Sequence, residues 1–239
     1  MQLVVIFLPV FRSGPAGKKR LLRLALSLWI VITLAACASI SDRPVTDESY
    51  QIWSEYQAQL STIDSWEIRA RAVIFVEQEV YQVGISWHRE SNQYVILIEA
   101  PFGQGVFRIE SNSTDDAAPP IKLSLPDGQV FYDDSAEALL VRVIGWSIPV
   151  SGMKSWIIGL PIIETEYSYD LRSDGRLKSL RQDDWLINYL EYFAQDTAEQ
   201  GLPRKMYLKH TSLAFKIVID RWQQLQVKVN SPITFPDFD

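Results

Sequence analysis

From Ser65 the chain takes up a period of two. Trp66, Ile68, Ala70, Ala72, Ile74 and Val76 alternate with Glu67, Arg69 and Arg71, so one face of a strand is wholly apolar. The pattern recurs along the chain. Tyr81, Val83, Ile85 and Trp87 give a second strand, and Arg89-Glu90-Ser91-Asn92 turns the chain into a third, Tyr94 to Ile98. Gly105 to Glu110 is a fourth, and Ile121–Leu125 and Gln129–Tyr132 flank the hairpin turn Pro126-Asp127-Gly128. Ile163, Thr165, Tyr167, Tyr169 and Leu171 alternate with acids and serine, and Ser173-Asp174-Gly175 turns them into Arg176–Arg181. Trp185–Phe193, Arg204–Thr211 and Leu213–Trp222 follow. Consecutive hairpins of this kind imply one antiparallel sheet of about eleven short strands, and a sheet that wide curls.

Helical periods occur in two places. Over Asp47–Asp64, Trp53, Tyr56, Leu60 and Ile63 fall on one face, with Thr46 or Asp47 as the cap. Asp134, with Glu137 three residues on, caps Ala136–Ile144, which Gly145 ends; a short helix follows at about Ser151–Ile158. The expected fold is therefore mainly β, of the α+β class: a curled antiparallel sheet whose apolar concave face is covered by helices. Such a sheet under a helical cover can enclose an apolar cavity or fill with a packed core, and composition leaves both open.

Residues 34–37, Leu-Ala-Ala-Cys, contain the chain's one cysteine. They follow an apolar run, Leu24–Thr33, and a basic cluster at Lys18, Lys19, Arg20 and Arg23. Basic, apolar, then small residues is the layout of a secretory signal, and the last four residues resemble the lipobox of bacterial lipoproteins. An uncleaved transmembrane helix is the competing reading; the apolar run of about thirteen residues is short of the roughly twenty a span needs. The resemblance implies cleavage before Cys37, acyl chains on its sulfur and on the new amino terminus, and stable membrane attachment. Residues 1–36 are then the signal, 37–46 a tether, 47–229 one domain and 230–239 a tail. A second apolar run, Leu3–Phe11, precedes the basic cluster, so either the start lies further along or the signal is long.

Five of the 23 bases precede Cys37 and none of the 29 acids does, which takes the formal net charge from −6 for the full chain to −11 after it. An acidic domain is a poor candidate for nucleic acid. With no second cysteine there is no intrachain disulfide, so stability rests on a core, which a 47 % apolar chain with eight Trp, ten Tyr and ten Phe can build. The sequence offers little to catalysis. His88 and His210 read as surface strand residues, Gly145-Trp146-Ser147-Ile148-Pro149 lacks the second glycine of a nucleophile elbow and follows a helix, and no phosphate loop occurs. No metal, no cofactor beyond acyl chains on Cys37, and no enzyme activity are expected.

Phe102 stands apart, in the loop Ala100-Pro101-Phe102-Gly103-Gln104-Gly105. Proline and glycine explain themselves as turn formers. A phenylalanine between them either folds onto the core or points outward toward a partner or a bilayer.

These pieces together resemble the LolB family of Gram-negative outer-membrane lipoprotein receptors. The likeness runs from the lipobox through Arg69-Ala70-Arg71-Ala72, Trp87, Tyr94 and Pro101-Phe102-Gly103. It continues in Ile148-Pro149-Val150-Ser151, Trp156–Pro161 and Leu202-Pro203, and ends with Ile217–Trp222. The resemblance implies an eleven-stranded half-barrel with helices in its mouth and a hydrophobic cavity. It also implies a monomer on the periplasmic face of the outer membrane that accepts mature lipoproteins from the soluble carrier LolA. These it inserts among the phospholipids of the inner leaflet, without ATP. The family's loop between the third and fourth strands carries a protruding apolar residue needed for delivery, and Phe102 takes that place between Pro101 and Gly103, where the family has leucine. Trp66, Ile68, Ile74, Tyr94, Ile96 and Trp156 are the expected acyl-chain cavity residues. A lipid-anchored half-barrel that binds or senses lipoprotein without delivering it is the competing function. The family also differs in lacking the length of residues 112–120 and the tail after Trp222.

Overall fold

The computed structural model describes residues 44–100, 105–111, 121–194, 197, 199 and 201–227, which belong to one compact unit. Cys37, the Pro101-Phe102-Gly103 loop, residues 112–120 and the tail lie outside them.

Among the described residues three helices and eleven strands follow in order. They are α1 (Asp47–Leu60), β1 (Ile63–Val76), β2 (Glu79–Glu90), β3 (Gln93–Glu99), β4 (Val106–Ser111), β5 (Ile121–Ser124) and β6 (Val130–Asp133). Then come α2 (Ala136–Ile144), α3 (Val150–Trp156), β7 (Tyr167–Leu171), β8 (Leu177–Gln182), β9 (Trp185–Tyr192), β10 (Pro203–Lys209) and β11 (Leu213–Val227). The strands form a single curled, unclosed antiparallel sheet in the order β6-β5-β4-β3-β2-β1-β11-β10-β9-β8-β7. Each strand neighbours the next in sequence, except that β1 and β11 close the gap between the two halves. Their ladder runs from Ile63↔Val227 to Val76↔Leu213.

The chain therefore leaves the sheet at one edge, β6, and re-enters at the other, β7. The connection between them carries α2 and α3 across the concave face. This is why the sheet needs no closure to hide its apolar side: the crossover covers it.

The burial of β1 follows its sequence. Trp66, Ile68, Ala70, Ala72 and Ile74 are buried while Arg69 and Arg71 are exposed. On the outer face Arg71 makes a two-pronged pair with Asp220 of β11, at 3.0 and 2.7 Å. Trp66 sits between Trp87 and Trp222 with ring centroids 5.3 and 5.7 Å away, both edge-on.

The structure shifts several expected boundaries. α1 stops at Leu60 rather than Asp64, because the Ser61 and Thr62 hydroxyls donate back to the carbonyls of Ala58 and Gln59, both at 2.7 Å. Ile63 and Asp64 then belong to β1. The cap of α2 is Ser135, whose Oγ accepts from the Ala138 N–H at 2.9 Å, not Asp134. Glu137 does not complete a capping box. Its Oε1 instead accepts from the backbone N–H and hydroxyl of Ser151, both at 2.7 Å, and so joins the two helices. Residues 163–166 alternate like a strand but form a turn, leaving Ile163 77 % exposed. The side-chain amide of Gln182 holds the turn through the Ile162 backbone and Thr165. β11 runs past Trp222 to Val227, since polar Gln223 and Gln226 still pair with β1.

Candidate functional site: an apolar cavity under the helices

The inward faces of β1 to β5 and the undersides of α2 and α3 enclose a cavity in two connected parts. The outer part has a volume of about 680 Å³ and the inner about 50 Å³. Six side chains line both: Ile74, Val83, Ile98, Ile109, Leu140 and Ile148. A volume of this order lies within the range of about 300–1,000 Å³ usual for ligand pockets. The lining is almost entirely hydrocarbon, so a ligand held there gains chiefly by leaving water.

Each wall has a local cause. β1 to β3 present every second residue inward, which brings Ile68, Ile74, Val83, Ile85, Ile96 and Ile98 to one surface. α2 contributes Leu140, and Ile144 at its end, because Gly145 with φ of 79° lets the helix stop there. α3 contributes Val150 and Met153. Its position is fixed from behind. The Trp156 indole N–H donates to Gln182 Oε1 at 2.9 Å, and the Tyr189 hydroxyl donates to the Trp156 carbonyl at 2.9 Å. Burial pushes the Tyr189 hydroxyl pKa far up, so it stays a donor.

The mouth lies at the end of the sheet where β1 turns into β2. Val80, Tyr81, Trp146 and Ala100 border it, and the Tyr81 and Trp146 rings meet at a tilt of 54° with centroids 4.9 Å apart. Val80 is 57 % exposed there. Ala100 is the last described residue before Pro101. Its N–H donates to the Gly105 carbonyl at 3.0 Å, so the loop that carries Phe102 leaves and returns at the rim of the cavity. Gly105 has φ of +118°, and a Cβ there would collide with the Pro126 ring of the β5–β6 turn. Glycine is what lets these two loops meet.

The six residues singled out in the sequence for the cavity divide. Ile68, Ile74 and Ile96 line it. Trp66 and Trp156 are buried in packed surroundings, one among the tryptophans and one against Gln182. Tyr94 is buried one step beyond the inner part, beneath Lys154, and burial raises its pKa to about 12. Phe102 and Cys37 lie outside the described residues. The helical side of the lining, Leu140, Ile148, Val150 and Met153, was missed in the sequence. Its signal was present in the apolar Ala136–Ile144 and in Ile148-Pro149-Val150, which read as cover rather than as wall. Among the described residues no group of three or more His, Cys, Asp or Glu could hold a metal, and no helix is long and apolar enough to cross a membrane.

The chain is 32 % identical over 206 residues to the outer-membrane lipoprotein LolB of Nitrosococcus oceani, spanning 84 % of this chain and 97 % of that one. Among solved structures it is similar to a DUF1329 family protein from Desulfovibrio piger, with a TM-score of 0.48, 9 % identity, and 79 % and 95 % of the two chains covered. It is also similar to the LolA superfamily protein NE2245 from Nitrosomonas europaea, with a TM-score of 0.45, 9 % identity, and 78 % and 96 % covered. The family described as "Outer membrane lipoprotein LolB" matches residues 64–222, from the start of β1 to the Trp222 that closes the tryptophan cluster, and the chain belongs to that family.

Proposed function

We propose that this protein is an outer-membrane receptor for lipoproteins. It faces the periplasm, is held by acyl chains on Cys37, takes the acyl chains of its cargo into the cavity from a LolA-type carrier, and inserts them into the inner leaflet of the outer membrane. The observation that carries the reading is the 680 Å³ apolar cavity, with the ends of the Phe102 loop at its rim. Family membership supports it independently.

The chemistry is transfer, not reaction. An acyl chain removed from water gains about 0.8 kcal/mol per methylene. It gains nearly the same in the carrier, in this cavity and in a bilayer. Moving between them is therefore close to balanced, and differences of about 1.4 kcal/mol per tenfold in affinity set the direction. A cavity that is open at a rim of exposed Val80 and half-exposed Trp146 suits such a hand-over, because the chain need not cross water. Phe102, beside that rim in sequence, is the group that would enter the bilayer.

The test is an environment-sensitive fatty-acid probe titrated into the chain from Ala38 to Asp239. That chain retains every described strand and helix, since all of them lie between Asp47 and Val227. Saturable binding displaced by acylated peptide is expected; no saturable binding contradicts the cavity's role.

A further inference from the structure

Two cations stand on the concave face where the hydrocarbon lining ends. Along β2, Trp87 lines the inner cavity and Arg89 is the next residue on the same face. Along β3, Ile96 lines it and Tyr94 is the next in the same direction. Arg89 and Tyr94 are directly opposite each other in the β2–β3 ladder, and Arg89 faces Trp66 across the β1–β2 ladder. From above, α3 gives Met153 to the lining and Lys154 to this next layer, with Nζ 5.2 Å from the centre of the Tyr94 ring. Arg89 is fixed through its Nε, which donates to the Ser91 carbonyl at 3.0 Å.

The two charges repel each other at the edge of an apolar lining. Both side chains are half-buried, and burial lowers the pKa of each. Arg89 lowers that of Lys154 further. The acids that act on them are Asp64 for Arg89 and Glu137 for Lys154, and Glu137 already spends Oε1 on two bonds to Ser151. Like charges held together away from water raise the free energy unless an anion joins them.

We propose that Lys154 and Arg89 form a binding site for the anionic head, carboxylate or phosphate, of a single-chain amphiphile whose tail lies along Trp87 and Ile96 in the cavity. The inference rests on the acyl-binding reading of that cavity and goes beyond it. A cysteine acylated on sulfur through diacylglycerol and on nitrogen through an amide carries no charge, so the lipid of a cargo lipoprotein offers this layer no anion. The site takes a different lipid, a fatty acid or a phosphate-headed amphiphile, which cargo must displace. The cavity is then filled rather than empty between deliveries.

The experiment is calorimetric titration of the chain from Ala38 to Asp239 with dodecanoate, dodecyl phosphate and dodecanol, each as monomers at neutral pH. The tail is constant and only the head changes. Charge-assisted hydrogen bonds predict that an anion binds at least about tenfold tighter than the alcohol. The advantage shrinks in high salt, because a half-exposed pair is screened. Lys154→Met keeps the stem over Tyr94 and removes the charge, so it abolishes the advantage while leaving dodecanol affinity unchanged; Lys154→Arg restores it. Arg89→Gln gives the same loss from the opposite element. The tighter of the two anions identifies the head. Equal binding of all three ligands, unaltered by Lys154→Met, overturns the anion site and leaves the acyl cavity standing. Failure of dodecanol as well as both anions overturns the cavity reading itself.

Discussion

The indole N–H of Trp156 donates to the side-chain oxygen of Gln182 at 2.9 Å, deep in the core, and this amide, with the Tyr189 hydroxyl, ties the helical cover to the sheet. The same oxygen accepts the Ile162 N–H at 2.9 Å, and the amide nitrogen donates to the Ile162 carbonyl at 2.7 Å and the Thr165 hydroxyl at 2.8 Å. Gln182 is 3 % exposed, so water cannot replace what it supplies. Gln182→Leu is nearly equal in volume and leaves an indole N–H, a backbone N–H and a backbone carbonyl unpaired. At about 1–3 kcal/mol for each buried unpaired group, the expected loss is about 3 kcal/mol or more. Denaturant unfolding measures it; a loss below about 1 kcal/mol contradicts the assignment of Gln182 as a tie.

Gly105→Ala tests the rim. It forces a side chain onto a φ of +118° and drives its Cβ into the Pro126 ring. A cost of about 1–3 kcal/mol is expected from the backbone alone. Pro126→Gly removes both ring atoms that a side chain at 105 would meet, Cβ and Cγ, so the double variant is expected to melt higher than Gly105→Ala. Equal melting temperatures for the two would place the strain elsewhere.

Filling the cavity should separate binding from folding. Ile98 lines both parts and is half-buried, so a larger side chain there has empty space to enter. Ile98→Trp is expected to weaken a fatty-acid probe about tenfold or more, with a change in stability of no more than about 3 kcal/mol. Probe titration beside thermal melting distinguishes this from general unfolding. Unchanged probe affinity in a folded variant would place the ligand outside the cavity.

Much of this architecture was legible because β strands announce themselves by alternation. The β1 face from Trp66 to Ile74 could be read directly, and so could the turns at Asp127-Gly128 and Asp174-Gly175, where the glycines take φ of 89° and 76°. What misled was alternation without a partner strand. Residues 163–166 have the strand pattern, but they form a turn at which the side chain of Gln182, distant in sequence, bonds the Ile162 carbonyl, the Thr165 hydroxyl and, at 3.4 Å, the Thr165 carbonyl. The cavity was less legible than the sheet. Ile68 and Trp66 are two residues apart on one buried face, yet only Ile68 meets the void. That difference is made by Trp222 and Trp87 packing around Trp66, and no local spacing encodes it. Lys154 and Arg89 were invisible for a similar reason: a helix and a strand far apart in the chain bring them to one layer.

The most direct test of the account is transfer of a lipoprotein from a purified LolA-type carrier, through this protein, into liposomes, with acceptance and release scored separately for the unaltered chain and Phe102→Glu. The loop that bears Phe102 begins and ends at the cavity rim, at Ala100 and Gly105. A carboxylate there resists the acyl region of a bilayer but leaves the cavity walls intact. The account predicts a variant whose stability changes by less than about 1 kcal/mol, that still accepts cargo from the carrier, and that fails to release it into the membrane. A stable Phe102→Glu variant that delivers cargo at the unaltered rate would contradict the account and leave binding without delivery as the function of the cavity.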